Sequence, residues 1–181
     1  MPSSFLPSLK KALTARAALL DEKHQSAFRL FNGFLEGDPD IAIDLYARTI
    51  VIHNYADSPA EGEEIAQIAK GFLLKEFPWI KAVLLKTRKG KTPQEKNGVL
   101  LYGEKTDDRI REYGVWYALD LTMNRDASLY LDTRNLRKWA IDNLAGKRVL
   151  NTFAYTGSLG VAAQAGGATK VVQADLSRKF L

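Results

Sequence analysis

The spacing of apolar positions changes several times along the chain, and each change marks an element. Residues 5–23 carry Leu9, Leu13 and Ala17 at helical spacing and predict an amphipathic surface helix. The stretch "FNGFLEGDPD" follows, rich in Gly, Asp and Pro, and reads as turn chemistry. Then "IAIDLYARTIVIHNYA" alternates: Ile41, Ile43 and Leu45 on one side, Ile50 and Ile52 after a break at Ala47-Arg48. That pattern predicts a hairpin of two half-buried strands. His53, at the end of the second, reads as a surface strand residue, since no partner of metal-site spacing accompanies it.

From Glu61 to Phe77 the period becomes helical, with Ile65, Ile68, Ala69, Phe72 and Leu73 on one face. The acids Glu61, Glu63 and Glu64 suit the positive end of the helix dipole, and Pro78 closes the element. "WIKAVLLKTR" reads as a strand, "KGKTPQEKNG" as a polar loop, and "VLLYGE" and "REYGVWYALDLT" as two further strands. Strand, strand, helix, strand, strand, strand describes a small α+β module over residues 28–122, preceded by a helical segment, 1–27.

Beyond residue 122 the style changes. Asp132 is a candidate N-cap for a helix carrying Leu136, Trp139, Ala140, Ile141 and Leu144, and Gly146 supplies its stop. A strand over 148–153, a glycine-bearing loop, a helix from Ser158 and the strand "KVVQAD" form a βαβ unit. Its strands should be parallel and its crossover right-handed.

Composition narrows the chemistry. Hydrophobic residues make up 46% and charged residues 26% of the 181, the balance of a globular domain. There is no cysteine, which removes disulfides, thiolate metal sites and a cysteine nucleophile, and no metal site is expected. No apolar run reaches the roughly 20 residues a membrane-spanning helix needs. The first twenty residues lack a basic stretch ahead of a continuous apolar core, so a secretory signal is not expected and a cytoplasmic location is. The net charge of +5 is uneven: nine basic residues face four acids between Lys81 and Arg111. That excess is compatible with a polyanionic partner, and solvated loop and strand faces are the plain alternative.

The chemical candidate is "VLNTFAYTGSLG", residues 149–160. A strand that ends in a glycine-bearing turn and opens a helix lets a ligand approach backbone N–H groups. Asp175 lies 18 residues after Gly157, at the tip of the next strand, where an acid can accept hydrogen bonds from ribose hydroxyls. The dinucleotide fingerprint G-x-G-x-x-G is incomplete, because only Gly157 and Gly160 remain. A bulkier loop with Phe153, Tyr155 and Thr156 suits an adenosine ligand without a phosphate, such as S-adenosylmethionine. Glycines that merely pack helix against strand remain the alternative.

With Tyr130-Leu131-Asp132-x-Arg134, Asn151-x-Phe153-x-Tyr155-Thr156-Gly157 and Asp175 in "VVQADLS", the sequence resembles the class I S-adenosylmethionine-dependent methyltransferases of 23S ribosomal RNA, the cytosine-C5 and guanine-N7 enzymes among them. The likeness is strongest over 124–181 and reaches more weakly into the α+β module. It implies an α/β chain: the small module, then the start of a Rossmann-like methyltransferase domain at 123–181. It implies that Asn151 and the Phe153–Gly157 loop face the cofactor, that Asp175 holds the ribose diol, and that Arg134 anchors the cofactor carboxylate or orders the loop. It also implies ribosomal RNA as partner, held partly by the module, with Lys86, Arg88, Lys89 and Lys91 of its basic stretch making phosphate contacts.

Departures from the family pattern set further expectations. No PUA-like domain precedes the module, and the later Pro-Pro motif that contacts the target base has no counterpart before Leu181. The sequence therefore reads as the N-terminal part of a longer enzyme, or a truncated copy, with catalytic residues beyond Leu181. Two other readings stay open: a nicotinamide-dependent oxidoreductase built on the same βαβ unit, and a non-catalytic RNA-binding fragment. The oligomeric state is not legible in the sequence.

Overall fold

In the computed structural model, residues 2–178 and Phe180 are described, with side chains from Phe5 onward. Lys179 and Leu181, at the end of the expected methyltransferase portion, lie outside the described residues. The N-terminal helix α1 spans Pro2–Arg16 and tightens into a 3₁₀ turn at Ala17–Leu19. It is shorter at its C-terminal end than the sequence suggests. The carboxylate of Asp21 accepts the backbone N–H groups of Lys23, Gln25 and Ser26, which turns the chain out of the helix.

That turn feeds a strand the apolar pattern does not reveal, β1 (Ala27–Phe31). β2 (Ile41–Tyr46) and β3 (Thr49–Asn54) form the expected hairpin, with Ala47 in the left-handed region at φ 53°. Helix α2 (Pro59–Glu76) carries the chain to β4 (Ala82–Thr87), which lies parallel to β3. The expected polar loop contains a short helix, α3 (Pro93–Asn97), fixed by a capping box in which Thr92 and Glu95 satisfy each other's backbone N–H. β5 (Val99–Tyr102) completes a five-stranded sheet of order β1-β2-β3-β4-β5.

"REYGVWYALDLT", expected as one strand, is a hairpin. β6 (Arg109–Glu112) turns into β7 (Val115–Ala118) through Tyr113 and Gly114, both with positive φ. Two consecutive left-handed residues match the right-handed twist of a tight hairpin.

The sheet is covered on both faces. On one, Ile43, Leu45, Ile50, Ile52, Val83 and Leu85 pack against Phe5, Leu9 and Ala12 of α1 and Ala66, Ala69 and Leu73 of α2. On the other, Ala27, Tyr46, Val51 and Leu84 pack against Ile110 and Tyr117 of the hairpin and against Leu119, Leu121, Ala127 and Leu129. Burial on both sides explains why "AFRLF" shows no clean alternation and escapes a period-two reading.

Helix α4 (Arg134–Asn143), strand β8 (Arg148–Asn151), helix α5 (Ser158–Ala165) and strand β9 (Lys170–Gln173) follow, and β8 and β9 pair in parallel as expected. The N-cap of α4 is Thr133 rather than Asp132, and its hydroxyl donates to the Tyr130 carbonyl instead of capping the helix. The α/β class read in the sequence holds.

Candidate functional site

The bend after β8 is over-determined. Tyr155, with φ 48°, and Gly157, with φ 83°, both take the left-handed conformation, which is uncommon for a tyrosine and needs surrounding support. The Tyr155 hydroxyl donates to the Ala127 carbonyl and accepts from the Asn124 side chain, each at 3.0 Å. Its ring lies between those of Tyr130, at 4.8 Å, and Phe180, at 4.6 Å. Thr156 donates its hydroxyl to the Ser128 carbonyl. The bend is therefore clamped to segment 124–130, which also covers the five-stranded sheet.

Asp175 comes to the same bend. Its carboxylate accepts the Tyr155 N–H at 2.7 Å and the Ser177 N–H at 2.8 Å. These donors, Ser177 first, hold its carboxyl below the usual carboxylate range. Each oxygen takes one of these bonds and keeps acceptor capacity, so a ribose diol can add its two hydroxyl donors.

The glycines have a packing reason as well. The Gln173 side chain crosses from β9, accepts from the Asn151 amide at 2.9 Å and donates to the Gly157 carbonyl at 3.0 Å. A Cβ at Gly160 would sit 2.3 Å from the Gln173 amide nitrogen, and one at Gly157 would sit 2.6 Å away. Asn151 thus orders the bend through Gln173 and through the Phe153 N–H, which it accepts at 3.3 Å. Phe153 projects outward, 88% exposed.

Arg134 sits at the other end of the Tyr130–Arg134 motif. Its guanidinium lies 5.4 Å from the Tyr113 ring, and its Nε is buried without a hydrogen-bond partner. A buried donor left unmade is costly, so an acceptor is called for there. Arg137, one turn on, is the residue sequence reasoning passed over. It is fully buried, pairs with both carboxylate oxygens of Glu112 at 2.8 and 3.0 Å, and donates to the Tyr130 carbonyl and the Thr133 hydroxyl. It fixes the motif's backbone to the β6–β7 hairpin. The signal in the sequence was a second arginine three residues after Arg134; its partner, 25 residues upstream, was not readable.

Next to this motif lies a cavity of about 430 Å³ whose walls include Arg29, Asp44, His53, Tyr55, Tyr130 and Arg134. Asp44 is the buried centre of one wall. Arg29 grips both of its oxygens at 2.7 and 3.0 Å, and His53 Nε2 lies 3.0 Å from one of them. Burial alone would raise the Asp44 carboxyl, but the bonds from His53 and Arg29 outweigh it and hold it low. His53, expected at the surface, is thus buried and paired. The correction follows from the second cover on the sheet, which hairpin periodicity could not announce.

The basic candidates divide. Lys86, expected to face RNA, is only 2% exposed. Its ammonium donates to the carbonyls of Asn124 and Asp126 at 2.8 and 2.9 Å, and burial pushes its pKa down to about 8. Lys86 therefore pins segment 124–126 to the sheet and leaves the set of phosphate candidates. Arg88, Lys89 and Lys91 remain exposed. Arg88 lies 3.9 Å from Asp126, and Lys89 pairs with the exposed Asp57. Among the described residues no cluster of His, Asp and Glu could hold a metal ion, and no helix is long and apolar enough to cross a membrane.

A family model described as S-adenosylmethionine-dependent methyltransferase matches residues 82–181, from β4 through the bend to the end of the chain. The chain belongs to this family. It is similar to ribosomal RNA large subunit methyltransferase I of Aeromonas hydrophila, 32% identical over 98% of the chain and 45% of that protein. It is similar also to ribosomal RNA large subunit methyltransferase K/L of Colwellia psychrerythraea, 34% identical over 99% of the chain and 26% of that protein. Among solved structures, SMU.776 complexed with SAH superposes with a TM-score of 0.82 at 26% identity, over 97% of this chain and 45% of that one. The chain spans less than half the length of the curated relatives it matches.

Proposed function

We propose that the protein takes part in methyl transfer from S-adenosylmethionine to a base of large-subunit ribosomal RNA. The observation that carries the reading is the meeting of Asp175 with the strained bend at Tyr155, 20 residues away in sequence. The cofactor supplies an activated methyl group on a sulfonium. This chain's part is binding and orientation, since displacement at a methyl carbon needs the reacting atoms aligned. Asp175 accepts the ribose hydroxyls. The Phe153–Gly157 bend, held by Asn151 through Gln173, lines the sugar and methionine portion. Arg134, with its unpartnered buried Nε, takes the carboxylate. Arg88, Lys89 and Lys91 contribute phosphate contacts that add affinity without sequence choice.

The nicotinamide reading has less support. Tyr155 and Thr156 occupy the turn where a dinucleotide site needs glycine for close pyrophosphate approach. The family match and the relatives' names favour methyl transfer to RNA over a purely binding role. Titration calorimetry with S-adenosylmethionine tests the central contact: Asp175→Asn should weaken binding tenfold or more, and equal affinity in both proteins removes Asp175 from the ribose role. Transfer of labelled methyl from the cofactor to ribosomal RNA by the wild-type protein, absent in Asp175→Asn, separates an enzyme from an RNA-binding fragment.

A further inference from the structure

Of the walls of the cavity beside the Tyr130–Arg134 motif, only Arg134 is used by the cofactor contacts proposed above. The cavity's volume of about 430 Å³ falls within the roughly 300–1,000 Å³ usual for ligand sites. One wall is the module sheet, and the other is the Tyr130–Arg134 motif. The module wall is locked: Asp44 is held by Arg29 and His53, so its charge is neutralised in place. Two groups on this wall have no partner among the described residues: Arg29 Nη1, a donor, and His53 Nδ1, which is the acceptor nitrogen of the ring because Nε2 donates to the Asp44 carboxylate. A partly aromatic cavity of this size that offers both a donor and an acceptor suits the mixed donor and acceptor edge of a nucleobase better than a cation or an apolar ligand.

The cavity shares three wall residues, His53, Tyr55 and Asp126, with a second, much smaller concavity. There Arg88, Lys96 and Arg125 converge. Arg88 approaches Asp126 only at 3.9 Å, and Lys96 and Arg125 have no ion-pair partner among the described residues. Beside Lys86, which is committed to the carbonyls of Asn124 and Asp126, these three cations face one acid, an excess suited to a phosphate. Tyr55 lines both concavities. It is 40% exposed and lies nearly parallel to the His53 ring at 14°, with centroids 6.0 Å apart. On the far side, Tyr130 both lines the cavity and touches Tyr155 of the bend.

Resting on the function proposed above, we propose that this cleft holds one unstacked nucleotide of single-stranded RNA. The base stacks on Tyr55 and turns its hydrogen-bonding edge to Arg29 and His53, an acceptor toward Arg29 Nη1 and a donor toward His53 Nδ1, while the flanking phosphates lie on Arg88, Lys96 and Arg125. The strand is thereby led past Tyr130, one aromatic ring from the cofactor bend. Base-on-tyrosine stacking tolerates any base, and the phosphate rim adds affinity that falls with salt.

The test is fluorescence anisotropy of the whole chain with a fluorescein-labelled single-stranded 12-mer RNA of mixed sequence. Tyr55→Ala should weaken binding about tenfold, while Tyr55→Phe, which keeps the ring, should bind as wild type does. The triple variant Arg88→Gln/Lys96→Gln/Arg125→Gln should weaken binding and lower the salt slope by about two to three. A duplex of the same sequence should compete at least tenfold less well. Unchanged affinity in Tyr55→Ala, equal loss in Tyr55→Phe, an unchanged salt slope in the triple variant, equal competition by the duplex, or no binding by wild type each overturns the proposal. Cofactor affinity is read separately by calorimetry, so a failure of the cleft is distinguishable from a failure of the methyltransferase reading.

Discussion

Two parallel strand pairs in this molecule live in opposite surroundings. β3 and β4 belong to a sheet whose central strands are buried at almost every position, with helices on one face and the β6–β7 hairpin and segment 119–131 on the other. β8 and β9 alternate. Val149, Asn151, Val171 and Gln173 are half-buried on the face that meets α5, while Leu150 and Val172, on the other face, are 64% and 42% exposed. Parallel strands are normally covered on both faces. The same kind of local sequence, four to six residues of which at least half are apolar, thus forms a strand in both places. Apolar content selects the strand; only the partners around it decide what the strand contributes to stability.

The strongest way to break this comparison is to cut what links the two regions. Arg137 of α4 and Glu112 of β6 form a buried pair, both side chains at 0% exposure. Arg137→Met leaves the Glu112 carboxylate buried without its partner and should cost about 3–5 kcal/mol. Urea unfolding followed by circular dichroism reads the cost. The double variant Arg137→Met/Glu112→Leu, which removes both charges, should recover most of it. If the single variant unfolds at the wild-type midpoint, the pair is not the link.

A matched pair of truncations sharpens the contrast. Ile52 is fully buried in the core under α1 and α2, and Ile52→Ala should cost about 2–5 kcal/mol. Leu150→Ala, on the open face of β8, should stay within about 0.5 kcal/mol. Equal losses would mean that Leu150 is covered in solution, and the comparison would fail. Amide hydrogen exchange should agree, with β8 and β9 opening at lower free energy than β2 and β3.

What was legible follows the same division. The β2–β3 hairpin, α2, the βαβ unit and the Asp175 spacing were readable because each depends on residues near in sequence or on a fixed period. β1 and the buried state of His53 were not, because the second cover on the sheet arrives from residues 109–131 and leaves no periodic trace upstream. Lys86 shows the limit most plainly. Within a basic stretch it reads as solvated, yet it alternates with Leu85 and Thr87 along a strand whose outer face is roofed over. Charge says what a side chain prefers; the topology decides whether a pair of carbonyls is waiting inside.

Lys86 gives a pH-dependent test of that roof. Burial lowers its pKa from the usual 10.5 to about 8. Below pH 8 the lysine is charged in both the folded and unfolded states, and the full penalty of burying the charge is present. Between about pH 8 and 10.5 the unfolded chain binds more protons than the folded one, so this group makes stability rise with pH, by at most about 1.4 kcal/mol per pH unit. Lys86→Met should flatten that rise in unfolding free energies measured from pH 7.5 to 10. The same slope in both proteins would show that Lys86 is solvated and the segment 124–126 unpinned.

The smallest expected effect tests whether the glycines of the bend serve packing. In the interior of α5, alanine is ordinarily favoured over glycine by about 0.5–1 kcal/mol. At Gly160 the new methyl would meet the end of the Gln173 side chain at 2.3 Å. That end is flexible and can move, but moving it breaks its bonds to Asn151 and to the Gly157 carbonyl, each contributing about 1 kcal/mol. The net cost of Gly160→Ala should therefore be small, about 1 kcal/mol. In a Gln173→Ala background the obstacle is gone and the sign should reverse, with Gly160→Ala now stabilising by up to about 1 kcal/mol. A thermodynamic cycle of the four proteins reads the coupling directly. Strict additivity would mean that Gln173 does not constrain Gly160, and that the glycine answers to a ligand rather than to the strand behind it.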